Sequence, residues 1–479
     1  WIIPVLGFQP VLFNISYTMS GVMTVGTGGT YPNLTGASGL FNAINTSVVD
    51  GNIYVSVLSN LVETGTVKLN EFSAPYTLQI RPSGSVTTRI IQGTTVQAFN
   101  PMIDLAGADR VSFNGADSAT NTGQYFRFIN NNSNAFQTGS VFRFVNDARR
   151  DSVRNCIIES NSTNGSVNTS SVVLSTTINS SGNDSISIDN CLFKQSAGTN
   201  PGRYYLAFGS TGTGSGEQTN SDNSITNCNF TGMLANSSVI NVSGTGNGDN
   251  WIVSNNKFYN DINYSASASL IQFQSAVSNN VTISGNSIGG SAPDRSGTLW
   301  GTTSGFLIGI NLFVGTSAAS NIQGNTISNI GTIGGSSTSA ITVGGGKVNI
   351  GTTSGNIIGG LANPWDTCIT SNNNSGWINN SGSTDTVRIE NNTIGNCSYY
   401  GGIADGNFGI YVSSGVNIIR NNLIRDIKGN NTGTLTLTST TKGILVSSLV
   451  AGQIVEDNTI FNLQNTNTGT AAYGTSGIQ

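Results

Sequence analysis

Asn391-Asn392-Thr393-Ile394 returns as Asn421-Asn422-Leu423-Ile424 and again as Asp457-Asn458-Thr459-Ile460. Each copy has two polar or glycine positions, a variable residue, then an apolar one. Reading backwards, Gly355-Asn356-Ile357-Ile358, Gly324-Asn325-Thr326-Ile327 and Gly285-Asn286-Ser287-Ile288 follow the pattern. Earlier still come Asn255-Asn256-Lys257-Phe258, Asn227-Cys228-Asn229-Phe230, Asn190-Cys191-Leu192-Phe193 and Asn155-Cys156-Ile157-Ile158. Second positions are separated by 35, 37, 28, 30, 39, 31, 36, 30 and 36 residues. A bounded but irregular period suits a solenoid whose loops vary while its rungs do not.

A second anchor runs between the first ones. It reads Val141-Phe142-Arg143-Phe144, Val172-Val173-Leu174, Leu206-Ala207-Phe208, Ile240-Asn241-Val242 and Ile271-Gln272-Phe273. Later copies are Ile310-Asn311-Leu312, Ile341-Thr342-Val343, Ile410-Tyr411-Val412 and Ile444-Leu445-Val446. Inward apolar and outward residues alternate, as in half-buried strands. Gly and Asn interrupt every stretch long enough for an amphipathic helix. The chain is therefore read as all-β, a right-handed parallel β-helix. Residues 1–50 are assigned to an N-terminal strand and capping segment, with a short helix at Gly39–Ile44 shielding the open end of the solenoid. Residues 51–479 are assigned to its coils. Gly477-Ile478-Gln479 repeats the start of the second anchor, so the chain is expected to stop inside a coil and to belong to a longer protein.

Asparagine at the second position has a physical reason. Coils stack about 4.8 Å apart, so an amide at the same turn of each coil can donate to one neighbour and accept from the other. Such a ladder satisfies polar groups that are costly to bury unpaired. Its members are Cys156, Cys191, Cys228, Asn256, Asn286, Asn325, Asn356, Asn392, Asn422 and Asn458. The three cysteines read as small buried side chains in place of Asn, with a disulfide between adjacent coils the second possibility. Five cysteines is an odd number, so at least one is unpaired in a monomer.

Charged residues make up 9% of the 479, against about 25% in ordinary globular chains. Polarity must come from Asn, Ser, Thr and Gly, while the alternating apolar runs argue against disorder. A net charge of −4 speaks against nucleic acid as a partner. No stretch reaches the roughly 20 apolar residues of a membrane span. Trp1-Ile2-Ile3-Pro4-Val5-Leu6 lacks a basic segment before it and reads as an early strand or a processed end.

The opening, Gly26 to Ile44 followed by Ile53 to Val57, resembles pectin-lyase-like right-handed β-helix proteins. Ile103-Asp104-Leu105-Ala106-Gly107-Ala108-Asp109-Arg110-Val111-Ser112-Phe113-Asn114-Gly115, with the Asn-Asn-Thr-Ile repeats, is similar to large secreted Bacteroidota proteins of the type IX secretion class. The resemblance covers roughly residues 22–479. It implies an extracellular or outer-surface location, adhesion as a common role, and contact with the secretion machinery through a C-terminal sorting domain that this sequence does not contain. It also implies O-glycosylation of Ser or Thr after Asp and before a small or aliphatic residue. That pattern selects Ser118, Ser152, Ser185 and Thr386.

Catalysis is not visible. The sequence has no histidine, which removes Ser-His-Asp triads and most zinc sites. No catalytic, cofactor-binding or metal-binding residue is assigned, and Gly244–Asp249 is only a faint echo of a calcium-binding repeat. The densest charge cluster is Arg143, Asp147, Arg149, Arg150, Asp151 and Arg154, read as a solvated patch. Arg127 and Arg143 sit in similar Phe-Arg-Phe strands and are expected to point outward on adjacent coils. Trp251, Trp300, Trp365, Trp377 and Tyr399-Tyr400 could stack on sugar rings, although packing beneath loops is the simpler reading. The sequence thus points to a non-catalytic surface scaffold or adhesin contacting polysaccharide or other glycans. A polysaccharide lyase or other carbohydrate-active enzyme, and a structural spacer, are the alternatives.

Overall fold

The computed structural model describes residues 17–84, 87–93, 101–130, 140–160, 170–175, 181–195, 208–211, 218–232, 238–261, 267–332, 337–360, 362–363, 366–370, 375–400, 406–429, 439–466 and 473–479. The chain winds as a right-handed parallel β-helix with three sheets. One coil shows the scheme. Ser152–Arg154 belongs to the first sheet, Cys156–Ser160 to the second and Val172–Ser175 to the third. Ser187–Asp189 then returns to the first sheet beside Ser152–Arg154, in parallel register. Repetition builds sheets of 14, 16 and 13 strands. No helix among the described residues is long and apolar enough to cross a membrane.

The bend from first to second sheet explains the first position of the repeat. Asn155, Asn190, Asn227, Asn255, Asn391, Asn421 and Asp457 take left-handed backbone conformations with φ between 49° and 61°, and Gly285 and Gly324 do the same at 63° and 61°. Asn, Asp and Gly enter this region most readily. One such residue turns the chain sharply enough that the next side chain points into the corner.

Inside, register turns each inward position into a column. Phe193, Phe230 and Phe258 stack with centroids 4.9 and 4.7 Å apart, and the column continues as Ile288, Ile327, Ile358 and Ile394. Each fully buried side chain of this size contributes about 1.5–3 kcal/mol. Trp251, Trp300, Trp377 and Tyr399 are also fully buried, whereas Tyr400 is exposed. Trp365 lies outside the described residues.

At the N-terminal end, Thr18–Val25 pairs with Val48–Val57, and helix α1 (Leu40–Asn45) lies between them in sequence. The helix buries Leu40, Phe41 and Ile44. Its approach is fastened by buried Glu63, whose Oε1 accepts from the Leu34 N–H (2.9 Å) and Oε2 from the Thr35 N–H (2.7 Å) and Oγ1 (2.6 Å).

Two expectations need correction. Arg127 and Arg143 do not share a face: Phe126–Asn130 is in the second sheet and Phe142–Val145 in the third, so one coil carries both. The same Phe-Arg-Phe alternation serves either sheet, and local pattern cannot tell them apart. The anchor taken as Leu206-Ala207-Phe208 is also shifted. Phe208 aligns with Val172 and Ile240, and Leu206 and Ala207 lie outside the described residues. The inward position two residues later is filled by Ser210, buried with Asn220 and Asn247, so no apolar residue marks it.

Candidate glycan-contacting face

The second residue of each third-sheet anchor points outward, and register stacks these residues into a row. From Gly209 it runs Asn241, Gln272, Asn311, Thr342, Asn379 and Tyr411. Asn241 and Asn379 are four rungs apart, about 19 Å at about 4.8 Å per rung. All these side chains are half-buried.

Their hydrogen-bonding capacity is only partly used. The Gln272 Oε1 accepts from the Ser238 Oγ, and the Asn311 Nδ2 reaches the Ser269 Oγ at 3.4 Å. Among the described residues the Asn241 Oδ1, Thr342 Oγ1 and Asn379 Oδ1 have no hydrogen-bond partner, although they are shielded from solvent. Shielded atoms without a partner are uncommon, and a side-chain rotation or a bridging water satisfies them. Aromatic side chains flank the row: Phe313 is 46% exposed, and Tyr411 lies 5.4 Å from Phe408. Lys442, the register partner of Phe408, places its Nζ 5.4 Å from that ring, and burial lowers its pKa. From Phe208 to Val446 no third-sheet strand carries an Asp or Glu. Sequence reasoning named these outward residues only as strand alternation. The signal was there, as Asn, Gln, Asn and Thr in successive anchors, but it becomes a row only once register is known.

The second positions of the first repeat form a different column, buried in the corner between first and second sheets. The Nδ2 of Asn256, Asn286, Asn325, Asn356, Asn392 and Asn422 each donates to the Oδ1 of the next member, ending at Asn458, at 2.9–3.0 Å. The same Oδ1 atoms also accept the backbone N–H of the preceding member. The second Nδ2 hydrogen goes to a strand carbonyl, as in Asn325 to Ile283 (2.9 Å). Every amide is thereby saturated. Cys228 joins through its N–H, which donates to the Asn256 Oδ1 at 2.8 Å, and the Cys191 N–H meets the Cys228 Sγ at 3.4 Å. Cys156, Cys191, Cys228, Cys368 and Cys397 are all buried free thiols. Burial pushes the Cys156 and Cys228 thiols up.

The arginines of the two Phe-Arg-Phe strands are ion-paired. Arg127 makes two bonds to Glu159 (2.7 and 2.9 Å), and Lys194 lies 3.2 Å from the same carboxylate, which is buried. Arg143 pairs with Asp104 at 2.6 and 2.9 Å. Asp151 is not solvated: it is buried, its Oδ1 accepts from the Val111 N–H (2.7 Å), and burial raises its pKa. Among the modification candidates, Ser118 and Ser185 are exposed, while Ser152 and Thr386 are half-buried in first-sheet strands. The Ser152 Oγ is held by the Ser112 Oγ at 2.9 Å.

No protein-family model and no curated protein sequence matches the chain. Several solved structures resemble it. One is the A-module of mannuronan C-5 epimerase AlgE6 from Azotobacter vinelandii, at 10% identity over 82% of this chain and 91% of that one, TM-score 0.36. Another is the GH136 lacto-N-biosidase from Eubacterium ramulus, at 10% identity over 92% and 68%, TM-score 0.41. A third is the GH87 alpha-1,3-glucanase catalytic unit from Streptomyces thermodiastaticus, at 13% over 97% and 70%, TM-score 0.32.

Proposed function

We propose that the chain is an exported scaffold, at the cell surface or beyond it, that holds a glycan along the outer row of its third sheet without cleaving it. The observation that carries this reading is the row itself: five consecutive coils present a half-buried amide or hydroxyl on one outer face. A pyranose ring in an extended glycan advances by a length similar to one rung, so successive sugars would meet successive side chains. Amide and hydroxyl groups serve both donor and acceptor hydroxyls, and Phe313 and Tyr411 offer ring faces for stacking.

A polysaccharide lyase is the second reading, favoured by Lys442. Its pKa is lowered by burial on the same face as Tyr411, which suits a proton-abstracting group. Retention on immobilised acidic and neutral polysaccharides, with new chain ends scored separately, tests both. Retention without new ends supports the scaffold. Unsaturated ends that vanish in Lys442→Ala would replace it with the lyase.

A further inference from the structure

One inward column of the second sheet changes character partway along. It runs Trp300, Ile330, Cys368, Cys397, Ile427 and Leu463 through successive register pairs. Bulky apolar groups fill it except at two consecutive positions, where thiols stand side by side. Both cysteines are fully buried. They are register partners on adjacent parallel strands, Cys368–Thr370 and Thr393–Tyr399, and their thiols hydrogen-bond each other. Neighbouring strands lie about 4.8 Å apart, inside the Cα separation of about 4.4–6.8 Å that a disulfide spans.

The other three cysteines are held differently. Cys156, Cys191 and Cys228 continue the amide column, and their Sγ atoms donate to the Arg154, Asp189 and Thr226 carbonyls at 3.0, 3.3 and 3.1 Å. The Cys228 Sγ also accepts the Cys191 N–H at 3.4 Å. Oxidation there would strip donors from a corner built on hydrogen bonds. Cys368 and Cys397 make longer contacts, to the Ile327 and Gly395 carbonyls at 3.6 and 3.4 Å. Their column neighbours, Ile330 and Ile427, are apolar, a setting that suits a disulfide, which has no proton to donate.

We propose that Cys368 and Cys397 are a cross-linking site, joined by a disulfide between adjacent coils when the chain folds in the presence of a disulfide oxidant, while Cys156, Cys191 and Cys228 stay thiols. With glutathione disulfide as oxidant, one cysteine thiolate displaces a glutathione thiolate and forms a mixed disulfide. The second cysteine thiolate then attacks the protein sulfur of that bond and releases the other glutathione. The two cysteines lose two protons and two electrons, and two glutathione thiols form. The cross-link joins residues 29 positions apart in sequence, enough chain for the closed loop to restrict the unfolded state. It fastens a strand of only three residues, Cys368–Thr370. That strand follows Asp366, which lines an outer cleft of about 480 Å³ together with Arg425. The site is independent of whether the third-sheet row holds a glycan.

The whole chain, purified in reductant, is incubated with a glutathione and glutathione disulfide buffer, both folded and after refolding from urea. Thiols are then counted in denaturant after an acid quench, and the linked peptides are mapped by mass spectrometry. All five thiols are expected in reductant and three after the redox buffer, with one peptide pair joining Cys368 to Cys397. The linked form is expected to melt about 3 °C or more above the thiol form. Cys397→Ser is expected to keep its four thiols in either buffer and to show no such gain. The proposal is overturned if five thiols persist in both preparations, or if the lost thiols map to Cys156, Cys191 or Cys228. It is equally overturned if the link joins two copies of the chain, or if the linked form melts no higher than the thiol form. Because the peptide map is read on the parent chain, a variant that fails to fold leaves the test intact.

Discussion

Two columns of amides run along this molecule, and they differ in what their hydrogen bonds do. In the inner corner, Asn256 to Asn458 form a continuous chain in which each Oδ1 from Asn286 onward accepts from the preceding amide and backbone. On the outer face of the third sheet, Asn241, Gln272, Asn311, Thr342 and Asn379 stack at the same spacing, yet the Asn241, Thr342 and Asn379 oxygens have no hydrogen-bond partner among the described residues. The same residue types at the same repeat thus build a fastening where a left-handed bend points them inward, and a row without such a ladder of amides where a strand points them out; the proposed function places recognition on that outer row. Position relative to the bend, more than residue type, decides whether an amide is tied into the frame or left on the surface.

The largest effect is expected from breaking the inner column. Asn325→Ala removes the acceptor used by Asn286 and the donor to the Ile283 carbonyl. With buried groups left unpaired, this is expected to cost about 2–4 kcal/mol, read as a lowered Tm and faster amide exchange in the adjoining coils. A loss below about 0.5 kcal/mol would make the column ornamental. The matching outer substitution, Asn311→Ala, is expected to leave stability within about 0.5 kcal/mol and to act on glycan retention instead.

The turn from third to first sheet lies between these extremes. The Asn183 Nδ2 donates to the Asn220 Oδ1 at 2.9 Å, and the neighbouring Asp184 accepts the Ser221 N–H at 2.7 Å. Partial burial raises the Asp184 pKa from 3.8 to about 6. A carboxyl whose folded pKa is raised holds its proton more tightly in the folded state, so its effect on stability worsens as pH climbs from 3.8 to about 6 and stays adverse above that. Asp184→Asn keeps the acceptor without the charge. It is expected to raise Tm at pH 8 and not below pH 4; an equal gain at both would point to packing, not charge.

The smallest effect is expected where the ladder meets the cysteines. Cys228→Asn places an amide between the Cys191 N–H and the Asn256 Oδ1, beside the Ile188 carbonyl that its Sγ already faces at 3.8 Å. The change in stability is expected to stay within about 1 kcal/mol, as extra bonding offsets added volume. A collapse of Tm would show that the corner there is too tight for asparagine.

The coil, its period and the inner column were legible in the sequence because asparagine recurs where only one kind of environment explains it. What escaped depended on register. Ser210 and Asn380 fill inward positions taken by Val242 and Val343 in neighbouring coils, so the apolar anchor faded and one coil went unmarked. Phe126-Arg127-Phe128 and Phe142-Arg143-Phe144 look alike but lie in different sheets. The cleft beside Arg425 was illegible because its lining residues, distant in sequence, come to one face only through the stacking of coils.

The most direct measurement is polysaccharide retention by the parent chain and by a variant carrying Asn311→Ala, Thr342→Ala and Asn379→Ala together, with Tm and new chain ends recorded on the same samples. Retention is expected in the parent without new ends, and it is expected to be lost in the variant at unchanged Tm. Equal retention by both chains, or cleavage by the parent, would contradict a recognition strip that holds glycans without breaking them.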